Sequence, residues 1–276
     1  MKRKNNFGKA SLPVGIFDSG IGGLTVLNEI KKVLPKENLI YLGDTARVPY
    51  GTKSPESVKK FSMEIAKFLV AKSVKLIVVA CNTASATALN MLVKKINLPI
   101  IGVVKPGAEA ALIKTRNKKI AVIGTEATIK SDAYKMMLVK LSDSPVKVYN
   151  KSCPLFVPLV EEGWLNNKVT FVIAREYLRN VKKEGVDTLI LGCTHYPLLS
   201  KLIRKIVGSK IEIVDSARAT SNEVKKVLMR NGLLNQSKKD GKISYYVTDN
   251  PSKFKNLAVL FSGNMIKQVS LVKLGV

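Results

Sequence analysis

Two segments of this chain bring a thiol to the same kind of place: Leu76-Ile-Val-Val-Ala-Cys81-Asn-Thr83 and Thr188-Leu-Ile-Leu-Gly-Cys193-Thr-His195. Each is an apolar run that stops at a cysteine and passes at once into hydrogen-bonding residues. Such runs read as buried parallel strands, and the loops just past the carboxyl ends of those strands are where open α/β sheets hold ligands. One such cysteine would pass for a small buried hydrophobe; two in matching positions point to paired thiols displayed over clefts. Two facing acid/base groups suit the removal of a proton from one face of a carbon and delivery of another to the opposite face, which inverts a stereocentre. A thiol of pKa about 8.5 needs one to two units of depression to be a useful base near neutral pH. Helix N-termini, hydrogen-bond donors and histidine can supply that shift, so the thiolate is expected to be favoured at both positions. A Cys-His pair alone would instead suit nucleophilic acyl transfer, which needs one cysteine and would leave Cys81 idle.

Other residue types cluster around the two thiols. His195 is the sole histidine, and its place two positions beyond Cys193 suits it to tune that thiol. Gly15-Ile-Phe-Asp18-Ser-Gly-Ile-Gly-Gly-Leu-Thr25 sets an acid and a serine before a glycine-rich turn, whose N–H groups could approach an anion closely. Asp18 could equally cap the helix that follows. The glycine spacing fits neither the dinucleotide fingerprint nor the P-loop, so no nucleotide cofactor is indicated. Tyr41-Leu-Gly-Asp44-Thr-Ala-Arg47-Val-Pro-Tyr50-Gly51 is a polar loop at the same sheet edge. Glu161, closing the run that begins at Cys153, is a further acid candidate that could also face solvent. Cys153 has no polar partner in sequence and reads as structural.

The elements that position these residues follow from periodicity. Short β-type runs alternate with helix-period segments, the pattern of βα units and a parallel sheet. Strands are expected at Val14–Phe17, Leu39–Leu42, Leu76–Ala80 and Ile100–Val103, then at Ile120–Ile123, Val146–Tyr149, Leu189–Leu191 and Ile211–Val214. Four against four implies two similar halves. Ser54-Pro55-Glu56 offers an N-cap, a proline at the first helical position and an early acid. Helices are also expected over Ala84–Lys95, from Pro197 onward, and over Thr220–Met229. A break around Val104–Ala110, marked by Pro106-Gly107, is the expected domain crossing. The closing stretch adds β-type runs at Ser244–Val247 and Leu257–Phe261 and is too short to stand alone. It is expected to complete one of the other two parts.

Bulk properties set limits. A chain of 276 residues suits two domains of ordinary size. Its three cysteines lack metal-ligand spacing and are odd in number, so neither a zinc site nor a disulfide framework is indicated and a reduced compartment fits. Met1 to Ser11 reads as a short, frayed basic tail without a signal-peptide core, and no apolar run approaches the length that spans a bilayer. The net charge of +26 invites a nucleic-acid partner. Its distribution argues otherwise: residues 1–105 carry 17 basic and 6 acidic side chains, 106–216 carry 18 and 11, and 217–276 carry 11 and 3. The excess is spread over the whole chain and lysine-rich, without the clustered arginines of groove readers.

Taken together, Gly15-Ile-Phe-Asp-Ser-Gly-Ile-Gly-Gly-Leu24, Tyr41-Leu-Gly-Asp-Thr45 with Val48-Pro-Tyr-Gly51, Val79-Ala-Cys-Asn-Thr-Ala84 and Leu191-Gly-Cys-Thr-His-Tyr-Pro197 closely resemble the glutamate racemases of the aspartate/glutamate racemase superfamily, from about residue 13 to 262. The resemblance implies two flavodoxin-like, doubly wound α/β domains related by a pseudo-twofold axis, with mainly parallel sheets, residues 1–105 plus 217–276 forming the first and 106–216 the second, and the active site in the cleft between them. It implies interconversion of L- and D-glutamate without pyridoxal phosphate or metal, supplying D-glutamate for peptidoglycan. By position, Cys81 matches the thiol that takes the α-proton of D-glutamate, assisted by Asp18, and Cys193 the one acting on L-glutamate, assisted by His195 and Glu161. Ser19, Tyr50, Gly51, Asn82, Thr83 and Thr194 match substrate-binding positions, as do Asp18 and His195. The related aspartate racemases usually carry a glutamate where His195 stands, which favours glutamate as substrate. A cytoplasmic homodimer with no membrane or dedicated nucleic-acid partner is the accompanying expectation.

Overall fold

The computed structural model describes residues 7–275. Ten strands form two sheets: β1 Val14–Asp18, β2 Leu39–Gly43, β3 Leu76–Val79, β4 Ile100–Gly102, β5 Lys119–Gly124, β6 Lys147–Ser152, β7 Thr188–Gly192, β8 Glu212–Asp215, β9 Ile243–Val247 and β10 Ser270–Leu271. The first sheet has the order β10-β9-β2-β1-β3-β4 and the second β6-β5-β7-β8. Every ladder is parallel. β1, β2, β3 and β7 are buried along their whole length, as unbroken apolar runs require when helices cover both faces.

The two sheets share one winding. In each, the first strand is flanked by the second on one side and the third on the other, with the fourth beyond it: β2-β1-β3-β4 and β6-β5-β7-β8. That order creates a switch point beside the first strand, where connections leave toward opposite faces and a crevice opens. Cys81 lies just past β3 at one switch point and Cys193 just past β7 at the other.

Three expectations need correction. The halves are unequal, six strands against four, because β9 pairs with β2 and β10 with β9. Leu257–Phe261 is part of a helix, Pro251–Ser262, and not a strand. Asn250 caps it by accepting from the Lys253 N–H, Pro251 begins it, and the buried side chains Phe254, Ala258 and Phe261 recur at helical spacing. The apolar run was right and its period was misjudged. Val104–Ala110, where the crossing was expected, is not irregular but the start of a helix, Val104–Lys114, that carries the chain from β4 in the first sheet to β5 in the second. Pro106 falls in its first turn, where a missing N–H costs nothing.

The expected helix starts match closely. Ser54 caps the Pro55–Ala71 helix by accepting from the Ser57 N–H at 3.2 Å. The alanine-rich stretch after Cys81 forms two helices, Asn82–Thr87 and Leu89–Lys95, meeting at Ala88. Pro197 lies in a 3-10 turn, Tyr196–Leu199, that leads into the Ser200–Val207 helix. Residues 1–6 of the expected tail lie outside the described residues, and Phe7–Ala10 is a helical turn. Among the described residues no helix is long and apolar enough to cross a membrane.

Candidate active site

Both thiols line one cleft at the seam of the two sheets, together with Ser19, Tyr50, Gly51, Asn82, Thr83, Thr194 and His195. Cys81 is the N-cap of the Asn82–Thr87 helix, and its Sγ accepts from the Ala84 N–H at 3.5 Å. Cys193 Sγ stands 4.0 Å from His195 Nδ1, and the N–H groups of His195 and Tyr196 face it. On its other side the imidazole reaches Glu161, with Nε2 3.1 Å from Oε1. The Phe261 ring meets the imidazole edge-on at 5.2 Å and helps to fix its plane. Glu161 ends the Phe156–Glu161 helix behind the cleft wall. Burial raises its carboxyl pKa, but the hydrogen bond and charge of His195, with Lys253 nearby, outweigh that and hold it below the usual range.

The expectation that the thiolates are favoured is corrected. Burial, reinforced by the negative field of Asp18, pushes the Cys81 thiol up to about 12 against the pull of donors on Ala84 and Ser19. Cys193 is pushed up as well, by burial first and then by the charges of Cys81 and Asp18. A six-residue helix on one side and a 3-10 turn on the other carry too little dipole to reverse the desolvation. Each thiol thus opposes ionisation of the other, which favours states with at most one thiolate.

Asp18 sits behind the wall, fully buried. Its Oδ2 accepts from the Gly20 N–H at 3.0 Å and its Oδ1 from the Thr194 hydroxyl at 3.4 Å. Burial raises its carboxyl pKa. It influences Cys81 through its field and forms no hydrogen bond with that thiol. The glycine-rich turn after it serves close packing: a Cβ on Gly22 would lie 2.2 Å from Thr194 Oγ1 and 2.5 Å from His195 Nδ1. Only glycine lets this turn meet the Cys193 loop, and Thr25 Oγ1 ties the two by donating to the Thr194 carbonyl at 3.3 Å.

The polar wall of the cleft comes from both halves. Asn82 is buried; its Oδ1 accepts from the Tyr134 hydroxyl at 2.6 Å, while its Nδ2 has no partner. The Thr83 hydroxyl lies 2.9 Å from that of Thr125 and 3.2 Å from that of Thr128. Tyr50 donates its hydroxyl to Asp44, which also binds Arg47 and Thr248, so the phenol is held and its hydroxyl is engaged away from the cleft. Gly51 abuts Thr125, where a Cβ would come within 2.7 Å of Thr125 Cβ. Thr125, Val48, Pro49 and Val157 also line the cleft and were missed in the sequence. Thr125 had a readable signal: it follows β5 as Ser19 follows β1, at the equivalent point of the second winding. Cys153 is buried under Tyr196, whose hydroxyl donates to the Cys153 carbonyl at 2.8 Å, in keeping with a structural residue. Among the described residues, no group of three His, Cys, Asp or Glu side chains is placed to hold a metal.

Residues 21–224 match the family model described as Asp/Glu/Hydantoin racemase. The chain belongs to that family. Its chemistry is accordingly that of an isomerase. A glutamate racemase of Geobacter metallireducens is 50% identical over 261 residues, covering 95% of this chain and 96% of the relative. Among solved structures, the glutamate racemase isoform RacE1 of Bacillus anthracis superposes with a TM-score of 0.92 at 40% identity, covering 95% of this chain and 97% of that one. The glutamate racemase of Francisella tularensis, determined in complex with D-glutamate, gives 0.89 at 37% identity over 96% and 98%.

Proposed function

We propose that the chain interconverts L- and D-glutamate by two-base proton transfer between Cys81 and Cys193, and that this supplies D-glutamate for peptidoglycan. The observation that carries the reading is the pair of buried thiols at the two switch points of one cleft, each with its own acid/base neighbour. In the D to L direction the Cys81 thiolate takes the α-proton, and the Cys193 thiol gives its proton to the opposite face of the carbanion. The reverse direction exchanges the roles. The His195–Glu161 pair receives or returns the proton that resets Cys193, and Asp18 assists Cys81 by raising its basicity through its field. Because the thiols are held protonated by burial, the substrate's own α-ammonium is the charge that makes a thiolate affordable between them. The unpartnered Asn82 Nδ2, the Ser19 and Thr83 hydroxyls and the Gly51 backbone are donors suited to the carboxylates, since they bind an anion without titrating. The residues need neither pyridoxal phosphate nor a metal for this step.

The names of the relatives and the D-glutamate complex of the Francisella tularensis racemase support glutamate as the substrate. The division into residues 1–105 plus 217–276 and 106–216, with the site at their junction, is part of the same proposal. A thiol hydrolase built on Cys193 and His195 would make Cys81 dispensable. The test is a polarimetric assay of purified protein with each enantiomer of glutamate and aspartate. Glutamate should be racemised from either side with no cofactor added, and Cys81→Ala or Cys193→Ala should each lower kcat by about 10²- to 10⁴-fold. Racemisation retained by both variants would contradict the assignment.

A further inference from the structure

The buried amide of Asn82 is the starting point. Asn82 lines the cleft; its Nδ2 is buried without a partner, and its Oδ1 is taken by the Tyr134 hydroxyl. Tyr134 lies on the Ala133–Leu141 helix, which follows β5, and is itself buried. Its phenol oxygen is met from the far side by the hydroxyl of Ser216, the first residue of the Ser216–Arg230 helix after β8. The Val104–Lys114 helix closes the arrangement at Gly107, where a Cβ would stand 3.2 Å from both Ser216 Cβ and the Tyr134 hydroxyl. The arrangement has a direction: the phenol, with the Ser216 side chain packed beside it, donates to Asn82 Oδ1, and Nδ2 is left as the donor for a ligand. An amide turned over would present an acceptor to an anionic carboxylate and force the phenol to accept from Nδ2 and turn its own proton away from Asn82. Both changes are costly in a buried site.

We propose that Tyr134, backed by Ser216, is a positioning residue that fixes the Asn82 amide with its donor end toward the substrate carboxylate. The proposal rests on the racemase reading above. It makes a residue of the second winding responsible for the orientation of a binding group on the first, so that the wall is correctly polarised only when the two halves are docked.

The experiment is a double-mutant cycle on the full chain, with kcat and KM measured for both glutamate enantiomers. Tyr134→Phe removes one oxygen and should raise KM by about tenfold for both enantiomers with a smaller change in kcat. In an Asn82→Ala background the same substitution should change KM by less than about twofold, because the amide it orients is gone. Ser216→Ala should shift KM in the same direction by less, and it takes the place of Tyr134→Phe in the cycle if that variant does not fold. Wild-type KM in Tyr134→Phe, or an undiminished rise in the Asn82→Ala background, would overturn the proposal by making Tyr134 a packing residue. An inert wild type would instead overturn the racemase reading on which it rests.

Discussion

At the scale of single residues, the thiols set the terms. A strand-end cysteine next to a helix start suggests an activated thiolate, yet burial and the nearby Asp18 carboxylate act in the opposite sense, and they win. The sign can be checked directly. A thiol whose pKa is raised is protonated over a wider range, so the reactive thiolate keeps growing through pH values at which an ordinary cysteine has levelled off. Iodoacetamide labelling of Cys81 in the free protein, followed by peptide mapping, should rise about tenfold per pH unit from pH 7 to beyond pH 10. A plateau by about pH 8.5 would mean an unshifted thiol and contradict this electrostatic picture. The residues themselves were legible: both cysteines, Asp18, His195 and Glu161 stand around one site as their motifs implied. Their ionisation was not legible, because desolvation depends on what packs over a side chain and no local spacing encodes that.

At the scale of elements, the sheet is fastened at the edge remote from the site by a buried ion pair. Lys75, just before β3, pairs with Glu37, just before β2, and both side chains are nearly inaccessible. Its ammonium also donates to the carbonyls of Ala10 and Leu233, while Glu37 accepts from the Asn235 N–H at 2.7 Å. One cluster therefore pins the chain start, two central strands and the segment leading to β9. Lys75→Met should lower stability by about 3–5 kcal/mol in urea unfolding, because it strands a buried carboxylate and two carbonyls. A loss below about 1 kcal/mol would show that solvent reaches the site. Nothing in the sequence marked this pair, since lysine and glutamate are read as surface residues until the fold buries them. The elements most clearly legible were those with uniform periodicity, the buried strands and the capped Pro55–Ala71 helix. Leu257–Phe261 misled because its apolar residues are consecutive, and only Phe254, Ala258 and Phe261 show which spacing governs burial.

At the scale of the whole molecule, a repeated winding gives two switch points, and the seam between them gives one cleft. Hydrogen bonds cross that seam at Thr25 to Thr194, Thr194 to Asp18, Thr83 to Thr125 and Tyr134 to Asn82, so neither half completes the site alone. The duplication was visible in the two cysteine motifs. The extra strands of the first sheet were legible only in part: Ser244–Val247 was expected and falls in β9, whereas β10 is two residues long and left no periodicity to read. The central claim is that two thiols act on opposite faces of one carbon, and isotope incorporation during a single pass tests it most directly. In deuterated water, L- or D-glutamate should yield inverted product carrying deuterium at the α-carbon, while the remaining substrate stays unlabelled at early times. Deuterium entering the remaining substrate as fast as the product, from either enantiomer, would mean that one base serves both faces and would contradict the account.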